Sequence, residues 1–302
     1  MQAQFAQTAD LRRMLIDEIF NAIGLSPSSW LRHILWPLAW PPAHRFARIA
    51  ASADRCVAEQ GFREAASRML YRFIQRVVVW GAEHVPAEGP LLVASNHPGS
   101  MDSLAIAASL PREDLKIVVS DAPFFHGLIG ASQHLLYAPE NVHGRMLVLR
   151  NAVRHLRNGG AVLIFPTGLV DPDPAVFPFA SKSVDAWSSS VAWMLDKVPA
   201  TRLLITMVSG VLAPECWRNP LVRLRETMWE KQKLAEFIQI IQQLVLGRRF
   251  PLIPQVTFGQ PLTLPELCIE EKLGNVMGAI QDRARRLMDQ SFPSSTGGAA
   301  GP

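Results

Sequence analysis

Between residues 8 and 23, apolar side chains recur every three or four positions. Leu11, Leu15, Ile16, Ile19, Phe20 and Ile23 fall on or near one face, which predicts a short amphipathic helix closed by Gly24 and Pro27. From residue 75 the period changes. Short apolar or β-branched runs at 77–80, 91–95, 115–120, 161–165, 203–208 and 253–258 predict strands. Helical spacing near 101–110, 123–135, 144–158, 182–196 and 227–246 predicts helices between them. The first three runs are close to continuous in apolar residues, as in strands covered on both faces. The alternation predicts an α/β fold: a single domain with a largely parallel, mixed central sheet flanked by helices. A last helix near 270–289 carries Leu273, Val276, Met277, Ile280, Ala284 and Leu287 at helical spacing. The expected organisation is a helical segment over 1–72, the α/β domain over 73–290, and a disordered Gly/Ser/Ala/Pro tail over 291–302, with no internal repeat.

The segment from Ser29 to Pro42 stands apart. Trp30, Trp36 and Trp40 lie within eleven residues, mixed with Leu31, Ile34, Leu35 and Leu38 and flanked by Arg32, His44, Arg45 and Arg48. Indole prefers the headgroup boundary, because its ring is apolar while its N–H needs a partner, and arginine beside it can meet lipid phosphate. Two readings follow: an interfacial membrane anchor, or a helical hairpin packed on the domain with its tryptophans filling gaps in the core.

Composition narrows the class. The chain has 302 residues, 49% of them hydrophobic and 19% charged, enough for one large α/β domain or two small ones and unlike a disordered chain. The net charge of +4 comes without dense Lys/Arg runs, which argues against nucleic acid and suits anionic lipid or a phosphate-bearing substrate. Cys56, Cys216 and Cys268 lie far apart without CxxC spacing and read as buried free thiols in a reducing compartment. Arg12, Arg13, Asp17 and Glu18 interrupt any signal-peptide apolar core. The longest stretch without Asp, Glu, Lys or Arg, 122–139, holds His126, Ser132, Gln133, His134 and two prolines, so no transmembrane helix is expected.

The informative run is Leu91-Leu92-Val93-Ala94-Ser95-Asn96-His97-Pro98-Gly99-Ser100-Met101-Asp102. A buried strand ends at Ser95, Pro98 and Gly99 turn the chain, and a helix starts near Ser100. His97 then sits at the carboxyl end of a strand, where open α/β sheets place ligands. Asp102 falls in the first helical turn, where the macrodipole favours its charge. A carboxylate on one imidazole nitrogen fixes the tautomer and stabilises the imidazolium, leaving the other nitrogen to take a proton. No protein nucleophile is required if the substrate supplies the hydroxyl.

A second buried strand ends in a similar turn at Phe165-Pro166-Thr167-Gly168. With these two blocks the sequence resembles the glycerolipid acyltransferases, the lysophosphatidate and related lysophospholipid acyltransferases. Their N-H-x4-D block is matched by Asn96, His97 and Asp102, and their F-P-E-G-T-R block in part by Phe165, Pro166 and Gly168. The approach Gly81-Ala82-Glu83-His84-Val85-Pro86 with Gly89-Pro90, and Ala122-Pro123-Phe124-Phe125, are also similar, so the resemblance runs from about 75 to 262. Two departures stand out. Thr167 replaces the glutamate of the third block and Leu169-Val170 its Thr-Arg. The second block, at His134-Leu135-Leu136-Tyr137-Ala138-Pro139, lacks its arginine. An arginine fork matches phosphate oxygens bidentately, and Thr, Leu or Ala cannot replace it. Either the acceptor carries no phosphate there, or another cation reaches in, with Arg145, Arg150 and Lys182 as candidates.

The resemblance implies transfer of a fatty acyl group from acyl-CoA or acyl carrier protein to a hydroxyl of a lysophospholipid or related lipid. His97 is the implied general base, oriented by Asp102. Asn96, Ser100, Phe165, Pro166, Thr167 and Gly168 are the implied substrate contacts, with backbone N–H groups around Gly168 facing the oxyanion. Trp30, Trp36 and Trp40 become the expected membrane contacts. Expected partners are the acyl thioester donor, the lipid acceptor and a membrane surface. No metal or other cofactor is needed, and the implied location is the cytoplasmic face of a membrane, peripheral or monotopic. The alternatives are a non-catalytic lipid-binding protein on a degenerate acyltransferase fold and a thioesterase or other hydrolase; against the latter there is no G-x-S-x-G elbow.

Overall fold

Seven strands form one sheet: β1 (Val78–Trp80), β2 (Leu91–Ser95), β3 (Leu115–Ser120), β4 (Leu135–Ala138), β5 (Ala161–Ile164), β6 (Arg202–Ser209) and β7 (Gln255–Phe258). Their order is β1-β7-β6-β2-β5-β3-β4. All neighbours run parallel except β6 and β7, so the sheet is the mixed, largely parallel one that the alternating pattern predicts. The computed structural model describes residues 7–22, 24–270 and 275–293. Ile23, Leu273 and residues 294–302 of the expected tail lie outside the described residues, while Ser291 ends a helix rather than opening the tail.

The sheet is covered on both faces. One layer packs α3 (Phe62–Leu70) and α4 (Asp102–Ser109) against Leu91, Val93, Ala161, Leu163, Leu204 and Val208. The other packs α6 (Val142–Arg157), α7 (Ser190–Lys197) and α11 (Val276–Ser291) against Leu92, Ala94, Val162, Ile164, Leu203 and Ile205. Alternate residues of β2 and β5 therefore feed opposite cores, which is why these strands read as unbroken apolar runs. Around these layers, among the described residues, lie α5 (Pro123–His126), α8 (Pro214–Trp217), α9 (Met228–Val245) and α10 (Leu264–Glu270).

The N-terminal part is a hairpin of α1 (Thr8–Ala22) and α2 (Leu31–Gln60). Leu11, Ile16 and Phe20 bury against a stripe of small residues, Ala39, Ala43, Ala47 and Ala50, whose i, i+4, i+8, i+11 spacing lets the two helices approach closely. Arg32 closes the connection by donating to Asp17 Oδ1, Asn21 Oδ1 and Leu25 O. The boundary expected at residue 72 is not a break in packing. Cys56, Val57, Phe62, Ala65, Ala66 and Leu70 belong to the same core as β2 and β5.

The pattern misplaces three features. The helix expected over 123–135 is the four-residue α5, followed by a turn of 3-10 helix at Ser132–His134 and then by β4, the edge strand where the second block of the resemblance falls. The helix expected over 182–196 is two pieces, 3-10 helix at Ala180–Ala186 and then α7. α10 is unforeseen. Cys56 and Cys216 are buried free thiols as expected, but Cys268 on α10 is exposed.

Candidate active site

β2 is a central strand, paired with β5 on one side and β6 on the other, and all five of its residues are buried. The chain leaves the sheet at Asn96, turns through Pro98 and Gly99, and enters α4 at Asp102. Asn96, an expected substrate contact, is fully buried. Its amide donates to Val208 O at 2.9 Å and its side-chain oxygen accepts from Val208 N–H at 2.8 Å, so it extends the β2–β6 ladder and does not face the site. Ser95 is equally buried and donates to Asn96 O, which removes it as a nucleophile for His97.

His97 Nδ1 lies 2.8 Å from Asp102 Oδ2. Asp102 is wholly buried, and the imidazole is 27% exposed. The carboxylate also accepts the Gly99 N–H at 3.0 Å through Oδ2 and the Ser103 N–H through Oδ1. Those backbone donors fix the carboxylate in place, so a proton on Nδ1 is directed at it and Nε2 becomes the basic nitrogen. Nε2 has no hydrogen-bond partner among the described residues. Burial alone would lower the His97 pKa; the negative charges of Asp102, Glu236 and Asp171 outweigh it, and the net shift is upward.

Of the expected third-block contacts, Phe165 touches His97 and Thr167 reaches Asp171. Phe165 stacks on the His97 ring with centroids 4.3 Å apart, Pro166 is buried, and Thr167 donates from Oγ1 to Leu169 O at 3.0 Å and faces Asp171 Oδ2 at 3.3 Å. Gly168 takes φ +66°, a left-handed conformation that favours glycine, but its N–H donates to Phe165 O at 3.0 Å. Of the backbone donors around Gly168 expected to face an oxyanion, the Gly168 N–H is thus engaged in closing the turn, whereas the Thr167 N–H has no partner among the described residues. Ser100 is exposed at the mouth of the turn, its N–H held by Glu236.

The turn has further partners that the sequence does not announce. Asp171 Oδ2 accepts the His97 N–H at 2.8 Å, and the Asp171 N–H donates to His97 O at 2.7 Å. Gln232 Nε2 donates to Pro98 O at 2.7 Å and to Asp171 O at 2.6 Å. Asp173 is fully buried and accepts from Ala175, Gly210, Val211 and Leu212 N–H groups, which pins the loop after β5 to the end of β6. Gln232, Glu236 and Gln239 share one face of α9 and are all buried, an inversion of the usual amphipathic order. Their i, i+4, i+7 spacing is the signal that could have revealed them. Gly99 is needed here because a Cβ would lie 2.8 Å from Glu236 Oε1, in the space that carboxylate occupies.

Residues 76–198 match the family model described as Acyltransferase. That span is about two fifths of the chain. It contains the His97 turn, Asp102, the third block, Asp171 and Asp173, and it ends before β6 and α9. The fold is also similar to that of the 1-acyl-sn-glycerophosphate (LPA) acyltransferase PlsC from Thermotoga maritima, at 13% identity and a TM-score of 0.46 over 96% of this chain and 95% of that one. No curated protein matches the sequence.

Within the matched span, the candidate cations Arg145, Arg150 and Lys182 are exposed, the arginines on α6 and the lysine in the 3-10 helix before α7. Among the described residues, no group of three or more His, Cys, Asp or Glu could hold a metal ion. An open groove of about 660 Å³, lined by Phe62, Glu113, Lys116, His134 and His155, lies at the amino ends of β3 and β4, at the other end of the sheet from His97. Ahead of the domain, Trp30, Trp36 and Trp40 are 68%, 40% and 39% exposed, with Leu31, Ile34 and Leu38 exposed beside them. The segment is a packed hairpin, yet its tryptophans do not fill the core; alanines do. No helix among the described residues is long and apolar enough to cross a membrane.

Proposed function

We propose that this protein transfers a fatty acyl group from an acyl thioester, on coenzyme A or acyl carrier protein, to a hydroxyl of a lysophospholipid or related lipid at a membrane surface. The observation that carries the reading is the His97–Asp102 pair, 2.8 Å apart at the carboxyl end of a central strand, with Nε2 unpartnered and Ser95 turned away. The acceptor hydroxyl takes the nucleophile's place. As its oxygen attacks the thioester carbonyl, His97 Nε2 takes its proton, and Asp102 stabilises the imidazolium. The tetrahedral intermediate collapses with cleavage of the C–S bond, and the imidazolium returns the proton to the leaving thiolate. The Thr167 N–H is the donor assigned to the developing oxyanion. The step balances with the two substrates alone.

The exposed tryptophans support docking at the headgroup level. Pro37, Pro41 and Pro42 lack the N–H groups that would pair with the carbonyls of His33, Pro37 and Leu38, all on exposed residues. Unpaired carbonyls are costly in hydrocarbon but satisfied among water and headgroups, which supports an interfacial rather than a buried position for α2. Acyl thioesters place the reaction on the cytoplasmic face.

The test is thiol release from acyl-CoA and acyl-loaded carrier protein by purified protein, across lipid hydroxyl acceptors with and without phosphate. Release that requires one acceptor class and disappears in His97→Ala supports the reading and names the acceptor. Release without any acceptor points to a thioesterase. Silence across the panel, with lipid still bound, points to a binding protein.

A further inference from the structure

The polar main-chain groups of the 97–100 turn are held from three directions. Asp171 holds His97 on both sides, taking its N–H and giving its own N–H to the His97 carbonyl. Gln232 holds Pro98 O, Asp102 the Gly99 N–H, and Glu236 the Ser100 N–H. Pro98 and Gly99 give this loop no sheet partner, so without these contacts nothing would fix the peptide planes that aim the imidazole. Asp171, Gln232 and Glu236 are 3%, 1% and 6% exposed, which keeps water from competing for the same bonds.

We propose that Asp171, tied to the turn by Gln232 of α9, is the positioning residue that sets the backbone of His97 and so aims Nε2 at the acceptor hydroxyl. This deepens the acyl-transfer reading and rests on it. The two hydrogen bonds between Asp171 and His97 flank the His97 Cα and therefore fix its φ and ψ, while Asp102 fixes the ring. Gln232 ties the two loops together, one amide group serving Pro98 O and Asp171 O. α9 lies beyond the matched 76–198 span, so a helix outside the acyltransferase-family match completes the site. Asp171 touches neither donor nor acceptor; it acts through His97. Burial raises the pKa of both Asp171 and Glu236 to about 6, and when ionised they join Asp102 in favouring the imidazolium that proton transfer creates.

The experiment uses the full-length protein with Asp171→Ala, Asp171→Asn and Gln232→Leu. Two readouts are taken: acceptor-dependent thiol release, and the His97 imidazole titration followed by NMR. Asp171→Ala should lower kcat about 100-fold, the loss expected of an ångström-scale misplacement, with KM unchanged. Asp171→Asn keeps an oxygen for the His97 N–H and should recover most of that loss, while the His97 titration moves to lower pH in both variants because a negative charge is gone. Gln232→Leu should lower kcat in the same direction without moving the titration. Wild-type kcat in Asp171→Ala, or an unmoved His97 titration in Asp171→Asn, overturns the proposal. The titration needs no turnover. If wild type transfers no acyl group yet the titration shifts, the acyl-transfer reading falls while the clasp stands.

Discussion

Arg45 on α2 donates to the carbonyl of Val245 at 3.0 Å, and also to that of Leu244, capping the C-terminal end of α9. A cation at a helix C-terminus meets the negative end of the macrodipole and the unpaired carbonyls at once. The contact joins the helix that displays the tryptophans to the helix whose buried face holds the His97 turn. The exposed apolar segment and the candidate active site are thus parts of one packed unit.

The base assignment gives the first prediction. His97→Ala should abolish acyl transfer, and Asp102→Asn should reduce kcat by about 10²–10⁴-fold, the range for a positioned general base and its orienting carboxylate. Circular dichroism and thermal melts should show His97→Ala folded, since its ring is partly exposed; steady-state thiol release measures the loss.

The pH profile follows from the charges around His97. The base acts only when neutral, and the surrounding carboxylates raise its pKa above the ordinary imidazole value of about 6.5. Transfer should therefore rise with pH along a limb lying above that value. Asp102→Asn should move the remaining activity's limb to lower pH. A wild-type limb well below 6 would show that another group controls the rate.

Asp171 gives a stability prediction of definite sign. Burial raises its pKa from 3.8 to about 6, so the folded state holds a proton that the unfolded state has released. Stability from this group is greatest below about pH 4, falls as pH rises through about 6, and stays lower above it. A shift of about two units corresponds to roughly 2–3 kcal/mol. Asp171→Asn should accordingly be the more stable protein at pH 8 and lose that advantage near pH 4, as read by urea melts at the two pH values.

Much of this arrangement was legible in the sequence, and what was hidden has a physical reason. β2 and β5 are central and buried on both faces, so their apolar runs were unmistakable, and His97 and Asp102 are five residues apart on one turn. β4 is a four-residue edge strand beside helical spacing and carried little pattern of its own. Asp171, Gln232 and Glu236 reach the turn across 74 to 136 residues, and polar side chains on a helix read as solvent-facing until tertiary packing turns them inward. Asn96 stands beside His97 in the block, but β6 claims its amide, so the implied substrate contact is not made.

The hairpin predicts a separation of binding from catalysis. Trp30, Trp36 and Trp40 are exposed, so replacing all three with serine should leave the melting temperature nearly unchanged. Partition onto anionic vesicles should fall by about 100-fold or more, given roughly 1–2 kcal/mol for each indole withdrawn from the interface. Activity on an acceptor dispersed in detergent should persist while activity on vesicle-borne acceptor is lost; co-sedimentation and thiol release together measure both.

The most direct measurement is the stoichiometry of one reaction: thiol released and acylated lipid formed, from the same mixture of purified protein, acyl thioester and lipid hydroxyl acceptor. The prediction is one acylated lipid, by mass spectrometry, for each thiol released, with neither product in His97→Ala and no acyl group left on the protein. Free fatty acid in place of acylated lipid, or equal yields from wild type and His97→Ala, would contradict His97-driven transfer to an acceptor hydroxyl.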